Sequence, residues 1–394
     1  DYKEDFMAIS RHMEQDVAIH ESDLVFAGFG IVAPEYDWND YENLDVEGKT
    51  VIVLVNDPGY ETNDDSLFNG KAMTYYGRWT YKYEEAARQG AAGVIIVHEP
   101  GAAGYPWGVV QNSWSGPQFY LEAEDNYAYR PTVEAWITTD AALRIFDQAG
   151  LDFATEKQKA TQQRFKPKVL GNRVSYALKN SYEQTVSHNF LAAWPGSDKA
   201  DEYVVYMGHW DHFGVDTSNG KREIYNGARD NATGVAGLLE VAKAYTQLPE
   251  RQSRSILFLA VTAEERGLLG SKYYAAHPVI PENKTVAAIN MDALNIWGPT
   301  RDITVTGYGN SELDDIVEEV AEQQDRYVRP DPEPEKGGYY RSDHFSFARE
   351  GVPALAASFG FDHAEHGEEW MLDQINAWNA ENYHKPSDEY QPEE

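Results

Sequence analysis

Five residues of the types that bind zinc follow one another through the second half of the chain, each close to a hydrophobic segment. They are His209, Asp230, Glu265, Asp292 and His384. Glu264 stands directly before the third of them. Imidazole nitrogens and carboxylate oxygens are common ligands of catalytic zinc. Two histidines and three carboxylates, with one glutamate left over, suit a pair of hydrolytic zinc ions, and the sequence therefore predicts a site for two Zn²⁺.

The local spacing indicates how such a site would work. Residues two apart in an extended chain share a face, so Asp211 could accept the second ring N–H of His209 or hold a neighbouring ligand or loop. Asp230 could bridge two ions with its two oxygens, at the separation of about 3.5–4 Å typical of two-metal sites. In the pair Glu264-Glu265, one carboxylate could bind metal while the other takes a proton from the activated water.

Each of these residues also has an ordinary structural interpretation. A single histidine on a strand is usually structural, a Glu-Glu pair is usually a solvated face, and an aspartate before a helix is often an N-cap. Five such residues at element ends are harder to dismiss together. The sequence contains no His-Glu-x-x-His helix, phosphate-binding glycine loop or Gly-x-Ser-x-Gly turn. His363 and His366 are predicted to be surface residues rather than a second metal site.

The segments between the candidate ligands alternate between strand and helix patterns, which is typical of an α/β domain. Strands are predicted at 203–207, 255–262, 286–291 and 353–358, and helices at 234–245, 268–277 and 311–324. Most of the candidate ligands then follow strand ends, and Asp230 precedes a helix. Open α/β sheets bind ligands beyond the carboxyl ends of their strands, so we expect these residues to converge there.

The first half of the chain is rich in Tyr, Trp and Gly and lacks a comparable set of ligand-type residues. A short amphipathic helix is predicted over 1–17, where Phe6, Ile9 and Met13 have helical spacing. Strands are predicted at 24–29, 51–55 and 92–97, a helix at 81–89, and a polar linker at 156–168. For 394 residues, two domains are the expected organisation.

The composition excludes several classes of protein. Asp and Glu number 65 against 33 Lys and Arg, which gives a formal charge of −32. Such a surface repels nucleic acid and anionic membranes. No apolar run approaches the roughly 20 residues of a membrane span. The absence of Cys excludes disulfides, thiolate ligands and a cysteine nucleophile. The oligomeric state is not indicated.

At the candidate ligands the sequence resembles the di-zinc aminopeptidase family, the relatives of bacterial leucyl aminopeptidase and glutamate carboxypeptidase. The resemblance covers about residues 185–394, and the motifs occur in the family's order. The matching strings are Gly208-His209-Trp210-Asp211-His212, Asn226-Gly227-Ala228-Arg229-Asp230-Asn231, Thr262-Ala263-Glu264-Glu265, Asn290-Met291-Asp292, Ser342-Asp343-His344 and Tyr383-His384-Lys385-Pro386-Ser387-Asp388.

The resemblance implies roles for these residues. One zinc ion would be held by Asp230, Glu265 and His384, and the second by His209, Asp230 and Asp292. Glu264 matches the general base, and Asp211 matches the residue that orients the site from outside the coordination sphere. Tyr339 matches a tyrosine that, in some members, donates a hydrogen bond to the oxyanion. The candidate substrate-binding residues are Tyr340, Arg229 and Arg341.

The implied fold is α/β, with a mixed-sheet zinc exopeptidase domain that has helices on both faces. The first half resembles the smaller, β-rich protease-associated domain that many members carry, which is not catalytic and often forms a wall or lid over the cleft. We therefore expect an N-terminal helical segment at 1–17 packing on the peptidase domain, a protease-associated domain at 18–170, and the peptidase domain at 171–394. Members usually have a longer helical stretch before the insertion, which predicts a processed or truncated chain.

The resemblance implies a zinc-dependent aminopeptidase that acts on peptides. Arg229 and Arg341 could instead bind a substrate carboxylate, which keeps a carboxypeptidase or dipeptidase open. A glutaminyl cyclase with one zinc and a receptor-like protein without catalysis are more distant alternatives. The family implies a secreted or periplasmic protein. The sequon at Asn231 favours a bacterial source, because a glycan beside Asp230 would obstruct the cleft.

Overall fold

The computed structural model describes residues 1–217 and 220–391, and these form two compact units. Unit 1 comprises Asp1–Gln184 together with the segment Glu333–Gly337, and unit 2 comprises the other described residues. The end of unit 1 therefore lies beyond the boundary at residue 170 that the sequence predicted.

Unit 1 is built on a six-stranded sheet in the order β1-β7-β6-β5-β2-β8. Its strands are β1 (Phe6–Ile9), β2 (Asp16–Phe26), β5 (Thr50–Leu54), β6 (Gly93–His98), β7 (Val133–Thr138) and β8 (Lys168–Lys179). The four central strands are parallel, and β1 and β8 pair antiparallel at the two edges. The short strands β3 (Val32–Ala33) and β4 (Trp38–Asn39) pair separately.

Helices alternate with the strands of unit 1. They are α1 (Pro58–Thr62), α2 (Trp79–Arg88), α3 (Pro100–Ala103), α4 (Trp107–Ser113), α5 (Thr139–Gln148) and α6 (Phe153–Ala160). Every residue of β5 and β6 is buried. Continuous apolar runs of this kind are typical of parallel strands that are covered on both faces, and the sheet has a hydrophobic cluster on either side.

The N-terminal segment is not the helix that the sequence predicted. Phe6–Ile9 pairs antiparallel with β7, and Asp16 begins β2. Met7 is fully buried, whereas Met13 of the predicted apolar stripe is exposed. Pairing with the edge of β7 satisfies the backbone hydrogen bonds of this segment, and such a long-range partner outweighs a weak local pattern. The segment therefore belongs to unit 1 rather than to the peptidase domain.

The predicted linker at 156–168 is also wrong, because its first part is the end of α6. Glu156 and Ala160 are buried, and Phe153 on the same face joins the core of unit 1. Gln158 and Lys159 lie on the outer face of this helix. Lys157 is half-buried and forms ion pairs with Glu61 and Glu99 at 2.8 and 2.7 Å.

Unit 2 contains a seven-stranded mixed sheet in the order β16-β15-β17-β14-β10-β13-β9. Its strands are β9 (Phe190–Trp194), β10 (Lys199–His209), β13 (Arg254–Val261), β14 (Thr285–Asn290), β15 (Asp302–Thr306), β16 (Tyr327–Pro330) and β17 (Ala354–Phe359). The strands β13, β10, β14 and β17 run parallel to one another. A separate hairpin is formed by β11 (Gly214–Asp216) and β12 (Glu223–Tyr225).

Helices pack on both faces of this sheet. They are α7 (Thr233–Gln247), α8 (Leu269–Ala276), α9 (Leu313–Gln323), α10 (His344–Arg349) and α11 (Gly367–Glu381). Val205 of β10 packs with Tyr274 of α8 and Phe347 of α10 in one hydrophobic cluster. Successive strand residues point to opposite faces, and the neighbouring Tyr206 meets Tyr245 of α7 with the two hydroxyls 3.2 Å apart.

The predicted α/β mixed-sheet fold of the second half is therefore confirmed, together with the approximate positions of its predicted strands and helices. In the part of the chain that the structure describes, no helix has the length and apolar character needed to cross a bilayer.

The core of unit 2 can be tested with two leucines. Leu259→Ala in β13 should lower the free energy of unfolding by about 2–5 kcal/mol, because the side chain is fully buried and its truncation leaves a cavity. Leu239→Ala is the matched control. Its side chain on α7 is 67% exposed, so the loss should stay below about 0.5 kcal/mol. Denaturant unfolding measures both variants, and equal losses would contradict this assignment of the core.

Candidate metal centre

The candidate ligands converge at the carboxyl ends of three adjacent parallel strands. His209 is the last residue of β10, Glu264 and Glu265 follow the end of β13, and Asp292 follows the end of β14. Two further segments complete the cluster. Asp230 lies in an irregular turn, Ala228–Ala232, before α7, and His384 lies just after α11. The parallel register of β13, β10 and β14 therefore brings together residues that are distant in the sequence.

Two glycines allow the backbone segments at this edge to approach one another. A Cβ atom on Gly234, in the first turn of α7, would lie 2.3 Å from the carbonyl oxygen of Met291. A Cβ on Gly208 would lie 2.8 Å from the same oxygen. Real Cβ contacts are longer than this, so β10, α7 and the residue before Asp292 can meet only where side chains are absent.

The potential ligand atoms form two groups that share one carboxylate. His209, Asp230 and Asp292 form one group, and Asp230, Glu265 and His384 form the other, with the ligand atoms in each group within 4.8 Å of one another. His209 Nε2 lies 3.1 Å from Asp230 Oδ1, and His384 Nε2 lies 3.5 Å from Asp230 Oδ2. The two oxygens of Asp230 therefore face different groups.

Glu264 also lies in this cluster, because it forms a third close group with His209 and Glu265. If two ions are held by the two groups that share Asp230, Glu264 is left without a metal. Burial, followed by the charge of Asp292, raises the pKa of Glu264 well above its ordinary value. A carboxylate of raised pKa is a stronger base, which suits transfer of a proton near neutral pH.

The chemistry of the donor set fits metal binding. His209 Nε2 is buried and, although Asp230 Oδ1 lies 3.1 Å away, it makes no hydrogen bond of suitable geometry with a described residue. The neighbouring carboxylates of Asp230 and Asp292 repel each other in a site of low exposure, and a bound cation would offset this repulsion. Imidazole and carboxylate donors suit zinc. The residues present could therefore hold a pair of zinc ions.

Asp211 holds a loop rather than orienting the histidine with its carboxylate. His209 Nδ1 lies 2.9 Å from the backbone carbonyl oxygen of Asp211, an arrangement that leaves Nε2 for a ligand. The Asp211 carboxylate accepts the N–H of Ala263 at 2.7 and 2.8 Å and the hydroxyl of Thr262 at 3.1 Å. The sequence allowed Asp211 either to orient His209 or to hold a neighbouring loop. The structure shows that its carboxylate holds the loop that leads to Glu264.

Several residues that support the ligands had no role in the sequence interpretation. Ser342 donates its hydroxyl to Asp292 Oδ2 at 2.6 Å and accepts the side-chain N–H of Asn290 at 2.7 Å. His212 Nδ1 lies 2.6 Å from Glu265 Oε1. These residues lie within the sequence motifs shared with the family, which was the one available indication of a role. A motif does not show which side chains are in contact.

Asp388 holds the backbone of the shared carboxylate. Its two oxygens accept the N–H groups of Arg229 at 2.9 Å and Asp230 at 3.1 Å. On the other side, Asn231 Oδ1 accepts the N–H groups of Gly234 and Ala293 at 2.9 and 3.1 Å. The turn that carries Asp230 is therefore fixed at both ends by carboxylate and amide side chains.

The predicted substrate-contacting residues have different environments. Tyr339 is half-buried, and its ring lies edge-on to His344 with the ring centroids 4.9 Å apart. Tyr340 meets Phe345 edge-on at 5.0 Å. Arg341 is exposed, whereas Arg229 is buried, with 5% of its surface exposed. Burial of this kind does not suit direct recognition of a substrate carboxylate by Arg229.

Two further aromatic side chains, one beside a ligand and one in a separate loop, have defined contacts. Tyr383 stacks on His384 with the ring centroids 3.8 Å apart. Tyr383 is 38% exposed, and partial burial raises its pKa; Arg341 opposes this shift, and the carboxylates of Asp230 and Glu265 add to it. His363, predicted to lie on the surface, is instead buried, and its Nδ1 accepts the N–H of His366 at 3.0 Å. His363 therefore stabilises the loop in which it lies.

One family of known proteins matches the part of the chain that carries the candidate ligands. The profile of Peptidase family M28 matches residues 189–394, which include every candidate ligand. Leupeptin-inactivating enzyme 1 of Streptomyces exfoliatus is 29% identical over 179 residues, or 45% of this chain and 37% of that protein. Aminopeptidase NAALADL1 of Mus musculus is 32% identical over 127 residues, or 31% of this chain and 16% of that protein. The chain thus spans less than half the length of these relatives.

Among solved structures, an aminopeptidase from Aneurinibacillus sp. strain AM-1 aligns with 97% of this chain and 71% of its own chain. The sequence identity is 20% and the TM-score is 0.47.

The support from Asp388 can be measured as stability. Asp388→Ala should lower the free energy of unfolding of unit 2 by about 2–5 kcal/mol, because it leaves two buried backbone N–H groups without an acceptor. Ser387→Ala is the control, since this exposed hydroxyl donates only to the carbonyl of Glu381, and its loss should be at most about 1 kcal/mol. Denaturant titrations compare the two, and similar losses would contradict the role of Asp388.

Proposed function

The chain belongs to peptidase family M28, and we propose that it is a zinc-dependent aminopeptidase that removes N-terminal residues from peptides. The observation that carries the proposal is the pair of ligand groups that share Asp230, with Glu264 beside them. Family membership supports hydrolysis of peptides as the reaction. The curated relative from Mus musculus, an aminopeptidase by name, supports action at the N-terminus.

We assign one zinc ion to Asp230, Glu265 and His384, and a second to His209, Asp230 and Asp292. Bound zinc would supply an acidified water and polarise the scissile carbonyl. The ligand geometry supports this assignment, because each group contains an imidazole nitrogen and two carboxylates within reach of a common point.

Glu264 is the proposed general base. It takes a proton from the attacking water and later returns it to the leaving amine, which requires a carboxylate that is near the ligands and is not itself bound to metal. The raised pKa of Glu264, caused first by burial, supports this role. Asp211 keeps the Glu264 turn in place through Ala263. Tyr339 remains the proposed hydrogen-bond donor to the developing oxyanion.

Electrostatics favours the amino end of a peptide as the recognised group. The cluster is rich in carboxylates, and a free α-ammonium group is attracted by such a field. Arg229 was one of two residues that could oppose this preference. Because it is buried within unit 2, its guanidinium is not accessible to the carboxylate of a substrate.

Arg341 keeps a second function open, that of a carboxypeptidase or dipeptidase. Its side chain is exposed, and its charge acts on Tyr383, which stacks on the ligand His384. A guanidinium in that position could bind the free carboxylate of a short substrate. Tyr340, next to it in the sequence, is a further candidate for contact with such a substrate.

We further propose that unit 1 is a non-catalytic protease-associated domain. The groups of ligand-type residues found among the described residues all lie in unit 2, and unit 1 has hydrophobic clusters of its own. The family resemblance supports a secreted or periplasmic location in a bacterium, and fractionation of the source cells would test it.

Variants of the adjacent glutamates should separate catalysis from metal binding. Glu264→Gln should lower kcat by about 10²–10⁴, the range for loss of general acid–base catalysis, with no loss of zinc. Glu265→Gln should instead lower the zinc content, because it removes the charge of a ligand. Elemental analysis and steady-state kinetics on the two proteins give the comparison. Near-normal turnover by Glu264→Gln would remove this residue from the mechanism.

The substrate end can be tested with matched compounds. An amino-acid anilide and an unblocked dipeptide should be cleaved, while their N-acetyl forms should not, because acetylation removes the ammonium charge. Efficient cleavage of an N-acetylated peptide with a free C-terminus would reverse the assignment to a carboxypeptidase. Arg341→Glu would then distinguish the two, since it should abolish recognition of a carboxylate and have a smaller effect on recognition of an amine.

A further inference from the structure

Arg229 directly precedes the shared ligand Asp230, and its guanidinium is enclosed by three aromatic rings. The guanidinium carbon lies 4.3 Å from the ring centroid of Trp378, 4.5 Å from that of Trp297 and 5.0 Å from that of Phe359. The three rings belong to α11, the segment after Asp292, and β17. Cation–π attraction at these distances stabilises a cation that is removed from water.

The charge of Arg229 persists in this environment. A guanidinium stays protonated in proteins even when it is buried, and here it lies over three ring faces that favour a cation. The side chain is therefore a buried cation beside the metal centre rather than a neutral packing group.

The hydrogen bonds of the guanidinium are directed at the backbone that follows the ligand Asp292. Its Nη2 donates to the carbonyl oxygen of Ala293 at 3.2 Å, and its Nε donates to that of Leu294 at 3.2 Å. The opposite side of the Ala293 peptide is held as well, because its N–H donates to Asn231 at 3.1 Å. Arg229 and Asn231, the neighbours of Asp230, thus both form hydrogen bonds with the backbone of Ala293.

The backbone of Arg229 completes this connection. Its N–H donates to Asp388, which also accepts the N–H of Asp230. The backbone of Arg229 is therefore held beside Asp230, and its side chain is held beside Asp292. These two aspartates belong to the same ligand group. Rigid connections of this kind set the distance between two ligands more narrowly than the ligands could by themselves.

We propose that Arg229 is a positioning residue of the metal centre that fixes Asp292 relative to Asp230. The inference rests on the two zinc ions of the proposed function. Its specific consequence is asymmetric. Loss of the guanidinium should weaken the hold on the ion assigned to His209, Asp230 and Asp292. The ion assigned to Asp230, Glu265 and His384 should be affected much less, because within the described residues the guanidinium donates to the backbone after Asp292 and not to residues beside Glu265 or His384.

The test is the rate of zinc release from the zinc-loaded protein into a chelating dye. For Arg229→Met, one equivalent should be released about 10–100-fold faster than from the wild type, because loss of a partner outside the coordination sphere typically lowers metal affinity by that factor. The second equivalent should be released at nearly the wild-type rate. Arg229→Lys should be intermediate, because lysine keeps the charge among the rings but lacks the planar fork that holds two carbonyl groups.

Arg326→Met is the matched control. Arg326 is half-buried in the same unit and donates to the backbone carbonyl of Asp302 at 2.6 Å and to the Thr300 hydroxyl at 2.9 Å, and neither acceptor belongs to a candidate ligand. This variant should lose some stability and release both ions at the wild-type rates. If Arg229→Met does not fold, the comparison of Arg229→Lys with the wild type and Arg326→Met decides the question.

Two results would overturn the inference. Unchanged release of both ions from the Arg229 variants would show that Arg229 does not position the site. Equal acceleration of both ions, seen also in Arg326→Met, would show a general loss of stability. A wild-type protein that holds no zinc would instead refute the proposed function, so the two failures can be told apart.

Discussion

The arrangement of the site depends on one buried carboxylate that faces two histidines. Asp230 Oδ1 lies near His209 and Oδ2 near His384, so each oxygen belongs to a different ligand group. A carboxylate with only 5% of its surface exposed is costly unless opposite charge or hydrogen-bond donors surround it. Burial alone would raise the pKa of Asp230, but the two histidines lower it below its ordinary value. Two cations would take over this compensation when the histidines become ligands.

The rest of unit 2 holds this carboxylate in place. Parallel strands supply His209, Glu265 and Asp292 at one edge, and the glycine contacts at Met291 let the helix that follows Asp230 approach that edge. Asp388 fixes the backbone before and at Asp230. The sheet therefore sets the position of the site, while side-chain hydrogen bonds to the backbone set its fine geometry.

The sequence indicated the parts of this arrangement that depend on residue type and on the ends of elements. His209 and Asp292 could be placed at one edge because they follow apolar strand patterns, and the structure brings them together with Asp230, Glu265 and His384. Their roles as zinc ligands, and the catalytic role of Glu264, stay predictions.

Contacts between distant residues could not be read from local patterns. The strand at Phe6–Ile9 depends on its pairing with β7. The direction of the Arg229 side chain depends on Trp378, almost 150 residues further along the chain. The same limit explains why the carbonyl of Asp211, and not its carboxylate, meets His209. A sequence shows that a polar side chain is present, but its partner is decided by packing.

The central claim is that Asp230 is shared by two metal ions, and the zinc content of two variants tests it most directly. Elemental analysis should find two zinc ions per chain in the wild type, about one in His384→Ala, and close to none in Asp230→Ala, because only the last variant removes a ligand of both ions. Retention of two zinc ions by Asp230→Ala, or of as much zinc as in His384→Ala, would contradict the account.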